Sequence, residues 1–276
     1  MRGNFGYNKP MPHLALQQQA HRPYPVPSKP WALSMDWQHL LFMHYPVAPA
    51  LLQPLLPAGL ELDLYEGDAW LGIVPFTMRN VRPRCLPVVS GLSDFPELNV
   101  RTYVRASGKA GVWFFSLDAH SALAVKLARW GFYLPYFRAE MSSLLAGNKV
   151  YDDDAITREV YNAEIHYESI RRQPGAADAR FLAFYQPLGE VFQAQPGSLE
   201  HFLTERYCLY SCDPRGRLWR ADIQHQPWPL QLAEAQVEIN TMGKQLGFNL
   251  PMLPPLLHFA EYLEVIAWLP EKLERS

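Results

Sequence analysis

The chain has 276 residues, 25 basic against 27 acidic, for a net charge of -2. That length buries a full core as one domain, and the near-neutral balance leaves no electrostatic footprint for nucleic acid or an anionic membrane. Three cysteines, Cys85, Cys208 and Cys212, are an odd number in a chain too large to need staples, which fits a reducing, cytoplasmic setting.

The first 30 residues carry Gln17, Gln18, Gln19 and six prolines, without the apolar run of a signal peptide or membrane anchor. This composition predicts a loosely ordered or draped arm, with the folded domain, 31–276, starting near Trp31. The 25 prolines of the whole chain favour many short elements over long helices.

From Trp31 to Tyr45 the chain reads as extended or as a short helical turn. Pro49 to Leu56 is a short helix, with Pro49 suited to its first turn and Pro57 to its stop. Gly59 to Glu66 alternates in Leu60, Leu62 and Leu64, Gly67-Asp68 makes a turn, and Ala69 to Met78 is a second strand, so the pair predicts a hairpin.

Glu97 to Ala119, ELNVRTYVRASGKAGVWFFSLDA, is the most informative stretch. Two β-rich runs flank Ser107-Gly108-Lys109, and period-2 alternation puts Glu97, Asn99, Arg101, Tyr103 and Arg105 on one face of the first run, opposite Leu98, Val100, Thr102 and Val104. A solvated strand face usually carries a loose mix of Lys, Thr and Ser. A carboxylate, an amide, a phenol and two guanidiniums in one row point instead to the wall of a site for a small polar ligand.

A helix is predicted over Ser121 to Trp130, capped by Ser121 and Gly131. The chain then returns to β at Tyr136 to Leu144, Ala155 to Tyr161, Ala163 to Ile170 and Arg180 to Tyr185. After a short helix at Leu199 to Arg206 come strands at Tyr207 to Ser211, Leu218 to Gln224 and Glu234 to Thr241. Sequential strands on short turns, without a repeated βα unit, predict an α+β, mainly antiparallel β architecture. Closure into a barrel would hide the sheet edges and turn the polar row inward.

The combination ELNVRTYV, GVWFFSLDA, LTERYCLYS (Leu203 to Ser211) and HQPWPLQLAEAQVE (His225 to Glu238) resembles the YqjF-like family of bacterial proteins of unknown function, over nearly the whole chain from Trp31. The resemblance implies an acetoacetate decarboxylase-like β-barrel or cone with a few flanking helices, in a cytoplasmic protein, and no established activity. Acetoacetate decarboxylase forms a Schiff base through a lysine whose pKa is lowered by an apolar site and a second lysine beside it. Arg129, Trp130, Gly131 and Phe132 are similar to the context preceding that lysine pair, but Tyr133, Leu134, Pro135, Tyr136 and Phe137 follow, none of them a lysine. Lys126 belongs to the preceding helix and reads as solvent-facing, so imine chemistry is disfavoured. By strand context, Glu97 resembles that enzyme's pocket glutamate.

Acids, bases and donors must then supply any chemistry. Glu97 and Arg101 are separated by about 13 Å of strand backbone, yet both heads can reach one ligand, Arg101 holding a carboxylate or enolate and Glu97 acting as base. A structural ion pair or network inside a polar barrel explains them equally well. Asn99 and Tyr103 would contact the ligand, with His120 at the end of the LDA motif and Arg138 as a cation where the lysines would have stood. Arg105, beside the turn, reads as solvated.

Glu164, His166 and Glu168 share a face that permits a base or a partial metal site, but an amphipathic outer strand explains it better, and no fourth ligand appears. The Cys208 and Cys212 spacing is not CxxC, so no metal is expected there. No GxSxG, GxGxxG or GxxxxGKS is present, which argues against a hydrolase triad and a nucleotide cofactor, so no cofactor is expected. The reading is an enzyme of lyase, isomerase or hydrolase type acting on a small organic acid or carbonyl compound, with a non-catalytic ligand-binding or interaction protein as the alternative. Nucleic acid and membrane are not expected as partners, and a homo-oligomer is left open.

Overall fold

The computed structural model describes residues 13–121, 129, 131–150, 160–251 and 255–274. Its strands are β1 (Leu33–Val47), β2 (Glu61–Leu62), β3 (Ala69–Pro83), β4 (Phe95–Ala106), β5 (Lys109–Ala119), β6 (Tyr136–Val150), β7 (Val160–Arg171), β8 (Arg180–Phe192), β9 (Cys208–Cys212), β10 (Leu218–His225), β11 (Leu230–Asn240), β12 (Leu256–Ala267) and β13 (Glu271–Lys272). As expected, the fold is mainly antiparallel β with few helices. Pro49–Leu52, running on into a 3-10 turn over Gln53–Leu55, and Leu199–Thr204 match predicted helices. Most of the helix predicted at Ser121 to Trp130, and most of the strand predicted at Ala155 to Tyr161, lie outside the described residues.

The pairings form one 13-stranded sheet that closes on itself. From β1 the ring runs through β3, β4, β5, β6, β7, β8, β11 and β12 back to β1, all antiparallel except for β5 with β6. A shorter ring branches from it, because β10 also pairs with β12 and β9 pairs in parallel with β5. The strands β12, β1, β3, β4 and β5 are thus a wall shared by two cone-like rings. One core fills each side: Phe42, Phe76, Tyr103, Tyr136 and Trp228 toward β9 and β10, and Leu41, Ile73, Val100, Tyr167 and Phe181 toward β7 and β8.

This shared wall explains the burial of β4. An ordinary strand of a one-sided sheet shows one face to water, but every residue from Glu97 to Val104 is buried. Tyr167 ties the wall to β7 by donating to the backbone oxygens of Glu97 (2.7 Å) and Phe76 (3.3 Å).

The predicted Gly59 to Met78 hairpin does not form. β2 lies on β4, Glu61 opposite Arg105, and only the isolated bridge of Tyr65 with Asp68 remains. Both edges of β3 are taken by β1 and β4, so it has no free edge to offer. Trp31 to Tyr45 resolves as the 15-residue strand β1 rather than a turn.

The arm over residues 13–30 is draped but not loose. Arg22 is buried, pairs with Asp222 at 2.9 Å, donates to Gln224 Oε1 at 3.0 Å and to the carbonyl of Ile223, and lies over the ring of Tyr207. Tyr24 donates to the carbonyl of Ala110 at 2.6 Å, and Gln224 donates to the carbonyl of Ala15 at 2.9 Å. Polar anchors fix this segment where apolar periodicity predicts nothing. Among the described residues no helix is long and apolar enough to cross a membrane.

Candidate functional site

Alternation along β4 turns Glu97, Asn99, Arg101 and Tyr103 toward the core that faces β9 and β10. Each meets a different neighbour, set by strand register. Glu97 lies opposite Phe76 on β3 and Ala119 on β5, and Arg101 lies opposite Gly72, which in turn lies opposite His44 of β1.

At the first end, the carboxyl of Glu97 is buried and accepts a 2.7 Å hydrogen bond from Tyr136 Oη. Burial disfavours the carboxylate and pushes its pKa up to about 8, against a smaller opposing pull from the Tyr136 hydrogen bond. Burial likewise raises Tyr136 well above the usual phenol range, and the adjacent Glu97 adds to the shift. Both groups therefore hold their protons near neutral pH, and Glu97 titrates where an acid-base catalyst is most useful.

At the other end, Arg101 donates to Tyr103 Oη at 3.5 Å, and Tyr103 Oη lies 2.6 Å from His44 Nε2. A guanidinium only donates, so the assignment that uses every proton has Tyr103 donating to Nε2 and the His44 proton on Nδ1. Burial first, then the Arg101 and His258 charges, hold the imidazole well below its usual pKa, which keeps it neutral. Gly72 makes this arrangement fit: a Cβ there would stand 3.3 Å from both Arg101 Cγ and His44 Cδ2.

Arg101 is 8% exposed, and among the described residues no carboxylate pairs with it. Its guanidinium lies 5.2 Å from the ring centroid of Phe42 and 5.8 Å from that of Tyr103, and its Nε has no partner. His44 Nδ1 and Asn99 Oδ1 are also buried without partners. Buried polar atoms in folded proteins are almost always satisfied; these three are not, and neither are atoms elsewhere such as Arg171 Nη2 and Ser211 Oγ. Glu97 and Arg101 do not pair with each other; each belongs to a buried polar network, Glu97 with Tyr136 and Arg101 with Tyr103 and His44.

Arg206 enters the site from beyond the helix Leu199–Thr204. It pairs with Asp63 at 2.6 Å and packs over Tyr103 at 4.9 Å and Phe202 at 4.2 Å, with Nη2 unpartnered. Arg105 pairs with the other oxygen of Asp63 and is half exposed, in keeping with its solvated reading.

His120 and Arg138 stand apart from the buried cluster. Both are exposed: His120 follows the end of β5, and Arg138 sits in register with Ala119, one strand beyond Glu97, where its head meets solvent. Glu164 and His166 form a partly exposed 2.7 Å pair on the outside of β7, as an amphipathic outer strand predicts. Among the described residues no cluster fits a metal, and all three cysteines are free. Trp228 of the HQPWPL motif is architectural, stacked on Trp37 at 5.6 Å and edge-on to Phe42 at 4.9 Å.

The structure also brings His44, Gly72, Tyr136 and Arg206 against this row, where sequence reasoning did not place them. A lone histidine in the apolar run LLFMHYPV of β1 is the one signal that stood in plain view.

Residues 34–264 match the DUF2071 family, described as an uncharacterized conserved protein, and the chain belongs to that family. The uncharacterized protein YqjF of Bacillus subtilis (strain 168) is 43% identical over 243 residues, spanning 88% of this chain and 93% of YqjF. Among solved structures, the enduracididine biosynthesis enzyme MppR, complexed with the condensation product of pyruvate and imidazole 4-carboxaldehyde, is similar at a TM-score of 0.60 and 13% identity, over 88% of this chain and 90% of MppR. An acetoacetate decarboxylase-like enzyme from Sphingomonas wittichii RW1 is similar at a TM-score of 0.58 and 14% identity, over 93% of this chain and 98% of that enzyme. At such identities the likeness is one of fold, and it agrees with the acetoacetate decarboxylase-like cone expected from the sequence.

Proposed function

We propose that this protein binds a small organic acid or carbonyl compound along the Glu97 to Tyr103 row and acts on it by acid-base chemistry without a Schiff base. The observation that carries this reading is Arg101: a guanidinium buried with no carboxylate partner needs an anion to offset its desolvation. MppR, a neighbour in fold, holds a pyruvate-derived compound, which supports a small oxo acid as the class to test.

In the reaction envisaged, Arg101 holds the carboxylate or developing enolate of the substrate. Glu97, in its carboxylate form, takes a proton from the carbon beside the carbonyl, the electron pair moves onto the carbonyl oxygen, and the Tyr136 hydroxyl keeps Glu97 oriented. No lysine lies between Gly131 and Arg138, so no imine enters the scheme. That same absence favours a second reading, a non-catalytic binding protein on the same scaffold. The three free cysteines support a cytoplasmic setting.

A thermal-shift titration with pyruvate and acetoacetate, followed by a consumption assay on keto acids, lactones and enol esters, tests both readings. The first expects binding that Arg101→Ala removes and turnover that Glu97→Gln abolishes. Binding without turnover supports the second, and binding untouched by Arg101→Ala overturns the site assignment.

A further inference from the structure

The buried charges around Tyr103 do not balance. Arg101 and Arg206 are 8% and 7% exposed, and their guanidiniums lie 5.8 and 4.9 Å from the centroid of the same phenol ring. Among the described residues the buried carboxylate beside them is Asp63, and it is already in full use. Its Oδ2 accepts from Arg206 Nη1 at 2.6 Å, and its Oδ1 accepts from Arg105 Nε at 3.1 Å and Nη2 at 2.6 Å.

Most of the unsatisfied atoms here are donors, with Asn99 Oδ1 the acceptor among them. Arg101 Nε, Arg206 Nη2 and Trp70 Nε1 are buried donors without partners, and His44 Nδ1 carries a proton when Tyr103 donates to Nε2. A neutral carbonyl compound would supply acceptors but no countercharge. A monoacid on Arg101 would leave Arg206 Nη2 unmatched, since Nε and Nη1 already donate to the carbonyl of Phe202 and to Asp63 at 2.6 Å each.

We propose that the ligand of this site is a dianion, a short dicarboxylic acid held at one end by Arg101 and at the other by Arg206. This rests on the small-acid reading above and narrows it. Two carboxylates supply acceptors for both guanidiniums and neutralise charge that Asp63, shared with Arg105, leaves over. Tyr103, whose ring centroid lies 5.8 Å from the Arg101 guanidinium and 4.9 Å from that of Arg206, touches both cations and is bonded to His44.

Isothermal titration calorimetry on the full chain tests this with succinate and 2-oxoglutarate against butyrate and 2-oxopentanoate, with inorganic phosphate as a further arm. The dicarboxylates are expected to bind at least about tenfold more tightly than the matched monoacids. Arg206→Lys keeps a charge for Asp63 but loses Nη2, the nitrogen left for the second carboxylate, and should bring the dicarboxylates down to the level of the monoacids on the same variant. Equal affinity of the two classes for the unaltered protein overturns the proposal without any variant. So does a preference that survives Arg206→Lys, or phosphate binding that outcompetes both dicarboxylates. Monoacid binding that depends on Arg101 but shows no dicarboxylate preference would leave the small-acid reading standing alone; absence of binding by every acid would remove both.

Discussion

Tyr136 donates a 2.7 Å hydrogen bond to Glu97 across two strands that are not neighbours, since β5 separates β4 from β6. On the intervening strand Ala119 lies opposite Glu97, and Tyr136 lies opposite Leu117. A buried acid thus receives an oriented partner without receiving a countercharge, and its pKa stays high for that reason.

The elevated pKa makes a stability prediction that needs no ligand. With a folded value of about 8 against 4.5 for the free side chain, the native state binds more protons than the unfolded state between those limits. The Glu97 contribution is therefore fully present below the unfolded pKa and is lost as pH rises through the folded one. Relative to Glu97→Gln, the unaltered protein should lose about 1.4 kcal/mol of stability per pH unit between roughly pH 5 and 8. Urea unfolding of both proteins at four pH values measures this, and parallel curves would show that Glu97 ionises normally.

Arg101→Ala should reduce small-acid affinity far more than Arg105→Ala, because Arg105 already spends its charge on Asp63 and is half exposed. Calorimetric titration with one acid decides the matter. Equal, negligible effects would mean that the buried row is not where the acid binds.

Gly72→Ala should weaken binding about tenfold while shifting the melting temperature little. The added Cβ, 3.3 Å from Arg101 Cγ and His44 Cδ2, displaces both by a few tenths of an ångström, which matters more to a bidentate contact than to core packing. Unchanged affinity would show that the spacing of these two side chains does not govern recognition.

Arg22→Ala should cost about 1 to 3 kcal/mol, since it removes one buried partner of Asp222 and leaves Lys109 at 2.5 Å, and removal of residues 1 to 29 should cost at least as much. That is a measurable part of the usual total of about 5 to 15 kcal/mol. Denaturant midpoints within about 0.5 kcal/mol of the unaltered protein would show that the arm only rests on the surface.

Incubation with pyruvate or acetoacetate and borohydride should leave no stoichiometric mass increment on any lysine, because an imine needs an amine in the site and none lies between Gly131 and Arg138. Peptide mapping reads this directly, and a stoichiometric adduct at Lys126 would restore the amine chemistry that the sequence argues against.

What the sequence determined by itself was local. Period-2 alternation put Glu97, Asn99, Arg101 and Tyr103 on one face of a strand, the missing lysine removed the imine, and short elements between turns predicted a mainly antiparallel β fold. Tertiary structure decided everything that depends on distant segments meeting. It made both faces of β4 interior, because β4 lies in a wall shared by two rings closed by strands distant in the chain. It brought His44, Tyr136 and Arg206 to the row, left His120 and Arg138 in solvent, and held the arm by polar anchors such as Arg22 on Asp222. Alternation fixes which way a side chain points from its own strand; which charge, donor or ring it then meets is set by strand pairing across the sheet, and no local pattern carries that information.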